Sequence, residues 1–348
     1  MADRRMITAI QRATSAIPGG AALKQRLHDD VTACGVTYWH LARRQDPGFT
    51  MMTYHRILAG LDPYYADGLP LATLKTQLKF FKRFCRVLSL DEIVSRLEAG
   101  KPLPRRCVTL TFDDGFRDTY TLALPLLRRY RLPATVYVTI QALERGILSS
   151  DIVRYAMRQT RAHRVTVRHT PTQPLEYDLS SEAARLRTLS DLQLRLTTIP
   201  NDERLTIVAA ITRQLLGCLP EEVRVPDLML TWEQVREMAA HQVTIGAHTL
   251  SHAVLTRLPL QQATEEIVQS KRILESRLQR PVEHFAYPHG APWCVSPAVR
   301  DEVERAGFRS ACTTLPGLNT PQTDRWLLRR VDGRQASLRS FVRYLTGQ

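Results

Sequence analysis

Two short segments carry the side chains that could do chemistry in this 348-residue chain. Segment 111–115, TFDDG, places Asp113 and Asp114 after an apolar, β-branched run, and segment 248–252, HTLSH, places His248 and His252 after another. One carboxylate and two imidazoles can ligate a metal ion such as zinc, which leaves the second carboxylate free as a general base. If the segments meet, they form a centre for metal-assisted hydrolysis.

Each segment also has a purely structural interpretation. The four-residue spacing of His248 and His252 predicts that both rings lie on one face of a helical turn, but such pairs also arise by chance. Asp113-Asp114-Gly115 alone is typical of a turn capped by an aspartate. The ligand interpretation becomes stronger when the two segments are taken together, because both follow predicted strands.

The elements that must position these residues alternate between strand and helix. Predicted strands cover 50–55, 107–112, 134–139, 243–248, 282–287 and 310–313, and predicted helices cover 71–84, 90–99, 119–130, 231–240, 261–278 and 297–306. Pro125 should kink the third helix. The alternation predicts an α/β fold with a parallel sheet and helices outside. Catalytic residues in such folds lie at the carboxyl ends of strands, where both segments and residues 287–290 fall.

The domain organisation follows from the same pattern. Residues 1–48 form a predicted helical lead-in, and residues 49–348 form one domain. Within that domain, residues 145–228 are charged and weakly periodic, which predicts a mostly helical insertion without a buried strand core.

The composition is that of an ordinary globular protein, with 44% hydrophobic and 24% charged residues. The six cysteines form no CxxC pair, and the N-terminus lacks a signal-like apolar segment, so we expect free thiols and a cytoplasmic location. The net charge of +14 comes without a basic run interleaved with aromatics, which argues against nucleic acid. A solvated basic surface is the simplest explanation of the positive net charge. The functional alternative is attraction to the anionic inner face of a membrane or to a phosphate-bearing glycan carrier.

The order of TFDDG, HxxxH and Tyr287-Pro288-His289-Gly290 resembles the polysaccharide deacetylase family (carbohydrate esterase family 4, the nodulation-protein B homology domain) over roughly residues 49–335. Segment 230–234, LTWEQ, is similar to insertion-bearing members associated with exopolysaccharide synthesis. The resemblance implies a distorted (β/α) barrel of about seven parallel strands. It also implies a divalent metal, usually zinc, with cobalt, nickel or manganese as alternatives, and a hydrolase that removes acetyl from an N-acetylated amino sugar in a surface polysaccharide or lipid-linked glycan.

The resemblance also implies roles for the residues that match it. Asp113 corresponds to the catalytic base, and Asp114, His248 and His252 correspond to the metal ligands. The family's third motif carries an arginine that orients the base, but this chain has Ala286 there. We expect Arg330 to replace it, although it could also be a surface arginine. The backbone N–H of His289 could bind the oxyanion.

A second departure from the family concerns the general acid. The late histidine that protonates the leaving amine is missing, because no histidine follows His289. His289, His55 and protonated Asp113 are the remaining candidates for the acid. Tyr287 and Trp293 could form a substrate wall or pack in the core. Pro288 and His55 complete the predicted substrate-binding residues.

Two other functions remain open from the sequence. The chain could be a different metal-dependent amidohydrolase that acts on a small amide, or a non-catalytic carbohydrate-binding or scaffold protein. The free carboxylate beside a metal argues against the second alternative, because a binding module does not need one.

Overall fold

A computed structural model gives the fold and describes residues 48–168 and 174–334. The predicted lead-in at 1–48 therefore lies outside the described residues apart from Gly48. The strands in chain order are β1 (Phe49–Tyr54), β2 (Ile57–Leu58), β3 (Leu69–Pro70), β4 (Arg86–Val87), β5 (Cys107–Phe112), β6 (Ala134–Val138), β7 (Arg164–Arg168), β8 (Pro174–Asp178), β9 (Val243–Ala247), β10 (His284–Ala286), β11 (Ser310–Cys312) and β12 (Val331–Asp332).

The helices lie between these strands. They are α1 (Leu71–Phe84), α2 (Leu90–Glu98), α3 (Leu124–Tyr130), α4 (Ile140–Arg145), α5 (Asp151–Gln159), α6 (Glu182–Thr198), α7 (Asn201–Leu216), α8 (Trp232–Ala239), α9 (Leu260–Leu278) and α10 (Pro297–Arg305). A π-helical turn covers Thr119–Ala123, and short 3₁₀ turns cover Pro63–Tyr65, Pro220–Glu222, Leu255–Arg257 and Pro292–Cys294.

The main sheet is parallel and has the strand order β11-β10-β9-β6-β5-β1-β12. Strand β4 pairs with the first half of β5, and β6 pairs with its second half on the same edge. A parallel bridge between Cys312 and Leu328 joins β11 to the segment that leads into β12, so the sheet curls toward closure. The predicted fold class, a distorted (β/α) barrel of about seven parallel strands, is confirmed.

Most predicted elements agree with the structure within about two residues. The helix predicted at 119–130 differs, because its first part is the π-helical turn, in which the N–H of Leu124 bonds to the carbonyl of Thr119. Pro125 explains this local change, since it has no N–H to continue the α-helical pattern and is tolerated only in the first turn of α3.

The predicted insertion has its own hydrophobic cluster, which contains side chains from α5, α6 and α7. The expectation that it lacks a buried strand is wrong, because β7 and β8 form an antiparallel hairpin. Val165 and Val167 on β7 are buried between exposed arginines, which is the alternation of a strand with one covered face. A five-residue alternation is a weak strand signal beside the longer helical segments.

The core of the barrel is built by the apolar residues of the strands and of the surrounding helices. Five cysteines lie in the described part of the chain, and all five are free thiols there; they are Cys85, Cys107, Cys218, Cys294 and Cys312. Within the same ranges, no helix is long and apolar enough to cross a membrane.

Candidate active site

Asp113 and Asp114 lie where β5 ends and the chain turns sharply. Asp114 and Gly115 both have positive φ, 73° and 84°. A side chain at Gly115 would meet Leu143 and Val138 at 3.0 and 3.2 Å, so the turn requires glycine. The amide of Asp113 still donates to the carbonyl of Tyr54, which anchors the turn to β1. The turn therefore brings two adjacent carboxylates, both buried, to one end of the barrel.

His248 and His252 follow β9 in a loop that is not helical. Thr249 and His252 both have positive φ, 62° and 65°, which excludes the predicted helical turn as the reason for their proximity. The loop folds back on itself, because the amide of His252 donates to the hydroxyl of Thr249 at 3.0 Å. The two ring centroids lie 4.9 Å apart. The side chains converge as expected, but a strained loop rather than a helix face brings them together.

The structure brings Asp114, His248 and His252 together as a potential metal centre. Oδ1 of Asp114 lies 3.3 Å from Nε2 of His248 and 3.2 Å from Nε2 of His252, and the three ligand atoms all lie within 4.8 Å of one another. Oδ1 of Asp114 is buried and has no hydrogen-bond partner in the described chain. A buried carboxylate oxygen without a partner, facing two imidazole nitrogens, fits a divalent ion such as zinc.

A carbonyl group fixes the orientation of His248. Nδ1 of this ring lies 2.7 Å from the carbonyl oxygen of Ala286, at the position where the resemblance leads one to expect an arginine. A carbonyl only accepts, so Nδ1 carries the proton and Nε2 keeps its lone pair for a metal. Sequence reasoning missed this role, because a main-chain acceptor is independent of residue type.

Glu266 on α9 holds the loop that carries His252. One carboxylate oxygen accepts from the amides of Leu250 and Ser251 at 2.9 and 2.8 Å, and the other accepts from the hydroxyl of Ser251 at 2.6 Å. Three hydrogen bonds to one carboxylate restrain a loop with two positive φ angles. No sequence pattern distinguishes Glu266 from the other polar residues of this amphipathic helix.

Arg330 contacts Asp113 through both carboxylate oxygens. Nη1 donates to Oδ1 at 2.8 Å, and Nη2 lies 2.7 Å from Oδ2. The guanidinium is held in place by a bond from Nε to the carbonyl of Thr313 at 2.7 Å. Arg330 is only 1% exposed, so the alternative of a surface arginine does not describe it. Its contact with Asp113 is the contact that an orienting residue would make.

The protonation states follow from this packing. Burial by itself raises the pKa of Asp113, but Arg330, His248 and His55 outweigh it and hold the pKa below its ordinary value. The pKa of Asp114 lies well below its usual range, because His248 and His252 overcome the effect of burial. Both carboxyl groups are therefore ionised at neutral pH, as a base and a metal ligand must be.

The two remaining candidates for the general acid lie near the centre. Nε2 of His55 lies 3.7 Å from Oδ2 of Asp113. The rings of His289 and His252 have centroids 5.1 Å apart. The pKa of His289 is lowered, first by desolvation of its ring against the cavity walls and then by the neighbouring His252, while another part of the residue faces solvent. Its ring is therefore neutral at rest.

The predicted substrate-binding residues differ in position. Tyr287 is fully buried, packs against Phe285 and donates its hydroxyl to the carbonyl of Trp326 at 3.0 Å, so the core-packing alternative describes its ring. Pro288 is buried beside it. Trp293 is 45% exposed and is not among the residues that line the cavity over the centre.

A cavity of about 530 Å³ opens over the centre. Barrel residues form one side of it, and the insertion supplies the other through Ser150, Asp151, Arg154, Gln193 and Thr197. The predicted insertion therefore forms part of the wall of the candidate active site.

A buried charged cluster, missed by sequence reasoning, joins the insertion to the barrel in this wall. Nε of Arg154 lies 3.1 Å from Oδ1 of Asp151. The guanidinium carbons of Arg56 and Arg154 lie 4.1 and 4.3 Å from the centroid of the Tyr65 ring. Burial raises the pKa of Asp151 and Arg154 lowers it; the effect of burial is the larger, and the pKa is raised to about 6. The spacing of Asp151 and Arg154 is compatible with an ordinary pair on one helix, and no sequence pattern joins that pair to Arg56 and Tyr65 in a distant segment.

The comparisons with known proteins agree with this geometry. The family model described as polysaccharide deacetylase matches residues 100–311, which contain Asp113, Asp114, His248 and His252. The chain belongs to the polysaccharide deacetylase family. The predicted family is thus confirmed, and so is the enzyme class, a hydrolase that acts on amide bonds.

Similar members of the polysaccharide deacetylase family come from several bacteria. The Bacillus subtilis (strain 168) protein YxkH is 21% identical over 308 residues, which are 88% of this chain and 77% of that protein. The poly-beta-1,6-N-acetyl-D-glucosamine N-deacetylase of Escherichia coli (strain K12) is 43% identical over 88 residues, which are 25% of this chain but only 13% of that enzyme.

A solved structure shares the deacetylase fold. The Streptococcus pyogenes deacetylase PplD, in complex with acetate, superimposes with a TM-score of 0.58 at 18% identity. The match covers 86% of this chain and 98% of that chain. At this identity the likeness concerns the fold alone.

Proposed function

We propose that this chain is a divalent-metal-dependent N-deacetylase that removes acetyl from an N-acetylated amino sugar in a surface polysaccharide or lipid-linked glycan. One observation carries the proposal. Asp114, His248 and His252 each offer one ligand atom, and these three atoms lie within 4.8 Å of one another, while Asp113 is outside this group and pairs with Arg330. A carbohydrate-binding module does not need a separate ionised base beside a metal centre.

The chain's own residues divide the work of amide hydrolysis. A divalent ion at Asp114, His248 and His252 would supply a Lewis acid, which acidifies water and polarises the amide carbonyl. Asp113, kept ionised by Arg330, accepts the proton of the attacking water. The oxyanion of the tetrahedral species accepts a hydrogen bond from the backbone N–H of His289, which has no partner among the described residues.

Cleavage of the C–N bond then requires a proton on the leaving amine. Asp113 holds the proton that it has taken from water and can donate this proton to the nitrogen of the leaving amine, so no further acid is needed. His289 is neutral at rest and would first have to receive a proton. Nε2 of His55 lies 3.7 Å from Oδ2 of Asp113, so His55 faces the base directly. We favour Asp113 as the donor.

The relatives support the substrate class without deciding it. The Escherichia coli enzyme is named for N-acetyl-D-glucosamine in a β-1,6-linked polymer, but the match covers only a small part of that enzyme. An acetylated amino-sugar glycan or lipid-linked glycan is therefore the proposed substrate. Zinc as the metal, a cytoplasmic location, an anionic membrane surface as partner and the domain limits at 1–48, 49–348 and 145–228 stay predictions.

The decisive experiment measures metal content and acetate release together. Metal-stripped protein is reloaded with zinc, cobalt, nickel or manganese and given acetylated glycan oligomers, nucleotide sugars, lipid-linked sugars and small amides. We expect about one metal ion per chain and metal-dependent acetate release from one class of acetylated sugar. Release only from small amides would favour the other amidohydrolase. Sugar binding by fully loaded protein without any release would support the non-catalytic alternative and contradict the proposal.

A further inference from the structure

A second, smaller chamber of about 90 Å³ adjoins the cavity over the candidate centre. His252 and His289 line this chamber together with Gln193, Thr197 and Arg204 of the insertion. Its volume has room for several water molecules and therefore for a small anion. The chamber is thus a space beside the reaction centre that the insertion helps to enclose.

Arg204, in the first turn of α7, forms no ion pair within residues 48–168 and 174–334. Its Nε and Nη2 donate to the amide oxygen of Asn201 at 3.2 and 2.7 Å, and Nη1 makes no hydrogen bond to that part of the chain. The four arginines that line the larger cavity are all paired with carboxylates; the pairs are Arg56–Asp118, Arg154–Asp151, Arg330–Asp113 and Arg334–Asp332.

The charge of Arg204 is only weakly compensated. Glu266 attracts it, but both oxygens of Glu266 already accept hydrogen bonds from Leu250 and Ser251. Burial lowers the pKa of Arg204 below its ordinary value, although an arginine stays protonated. A partly desolvated guanidinium whose Nη1 has no hydrogen-bond partner in the described ranges is the kind of group that proteins use to bind carboxylate and phosphate.

We propose that the chamber is a binding subsite for a small oxyanion, a carboxylate or a phosphate, held by the guanidinium of Arg204 beside His252. The proposal rests on the proposed function, which supplies two sources of such an anion. Hydrolysis frees acetate next to His252. Alternatively, the glycan carries a phosphate or carboxylate substituent close to the acetamido group, and Arg204 selects for it.

The test uses metal-free, full-length protein, so that a bound metal cannot ligate the anion. Sodium acetate and inorganic phosphate are titrated separately at constant ionic strength, and binding is followed by calorimetry or by NMR. We expect Arg204→Gln to raise the Kd of the anion that binds more tightly at least tenfold. Arg213→Gln removes the same charge from an exposed position on α7 and should leave this Kd unchanged.

Arg204→Lys guards against a variant that fails to fold, since it keeps the charge but loses the planar fork; we expect a smaller rise in Kd. Tighter binding of acetate identifies the product as the source, and tighter binding of phosphate identifies a substituent of the glycan. Binding of neither anion by the unaltered protein, or equal Kd values before and after both substitutions, would overturn the subsite. Because the titration needs no turnover, its failure is distinguishable from an absence of acetate release.

Discussion

Arg330 and Asp113 form a buried two-point contact between residues that are 217 positions apart in the chain. Arg330 precedes β12 and Asp113 follows β5, and both strands pair with β1, on its opposite edges. The guanidinium reaches the carboxylate from the far side of β1 and is held there by Thr313. The methyl side chain of Ala286 has no donor that could orient Asp113. The contact with Arg330 therefore positions the proposed base.

Arg330→Gln should lower kcat about 100-fold or more while the bound metal stays near one ion per chain. The substitution leaves Asp113 buried without its cation, which removes its orientation and raises its pKa. Acetate release and metal analysis of the same preparation measure both quantities. Arg329→Gln, at the exposed neighbouring position, should be neutral. Loss of metal in the Arg330 variant would show that the arginine serves the fold or the metal instead.

Asp113→Asn should lower turnover by about 10²–10⁴-fold and leave the metal nearly stoichiometric, because the amide cannot accept a proton. His248→Ala should remove both metal and activity. The two variants, compared by metal content and acetate release, separate the base from the ligands. Near-full activity of the Asp113 variant would show that the base has been misassigned.

Glu266→Gln should weaken metal binding about 10- to 100-fold, because the restrained loop that carries His252 loses its charged acceptor. Competition with a chelator of known affinity measures the change. Glu265→Gln, on the exposed side of the same helix, is the matched control and should leave the affinity unaltered. Equal affinities for both variants would mean that the loop keeps its shape without the carboxylate.

His289→Asn should keep both limbs of the pH–rate profile, because the neutral ring lacks the acidic proton of an imidazolium. Asparagine tolerates the positive φ of 60° at this position and retains the backbone N–H that is proposed for the oxyanion. The profile of kcat against pH is the measurement. Disappearance of the alkaline limb would instead assign the general acid to His289.

Ionisation of Asp151 should lower the free energy of unfolding of the metal-free protein as pH rises from about 4 to above 6. Its pKa is raised to about 6 in the folded state, so the folded state binds the proton more tightly than the unfolded state does. This contribution to stability is complete at low pH and is lost as pH rises through 6, and it amounts to at most about 3 kcal/mol.

Urea unfolding of the unaltered protein and of Asp151→Asn at several pH values tests this prediction. The asparagine variant cannot titrate at this position, so the difference between the two free energies of unfolding should grow in its favour toward pH 7. Parallel curves across this range would show that Arg154 fully compensates the charge of Asp151.

The sequence by itself determined the alternating strands and helices, the family, and the segments that converge. These features follow from local rules, because periodicity and the apolar, β-branched runs predict strand ends, and parallel strands bring their ends to one edge. The hairpin β7–β8 is the exception, since a five-residue alternation is a weak signal beside long helices.

Only the tertiary structure decided how the residues meet. His248 and His252 converge through positive φ angles rather than on a helix, and Ala286 acts through a carbonyl that any residue type would supply. Glu266, Asp151 and Arg204 owe their surroundings to the packing of their helices against other segments: Glu266 holds the loop after β9, Asp151 accepts from Tyr65, and Arg204 lines the chamber beside His252. Such contacts depend on how helices and loops pack around the barrel, and a single sequence carries no local pattern for them.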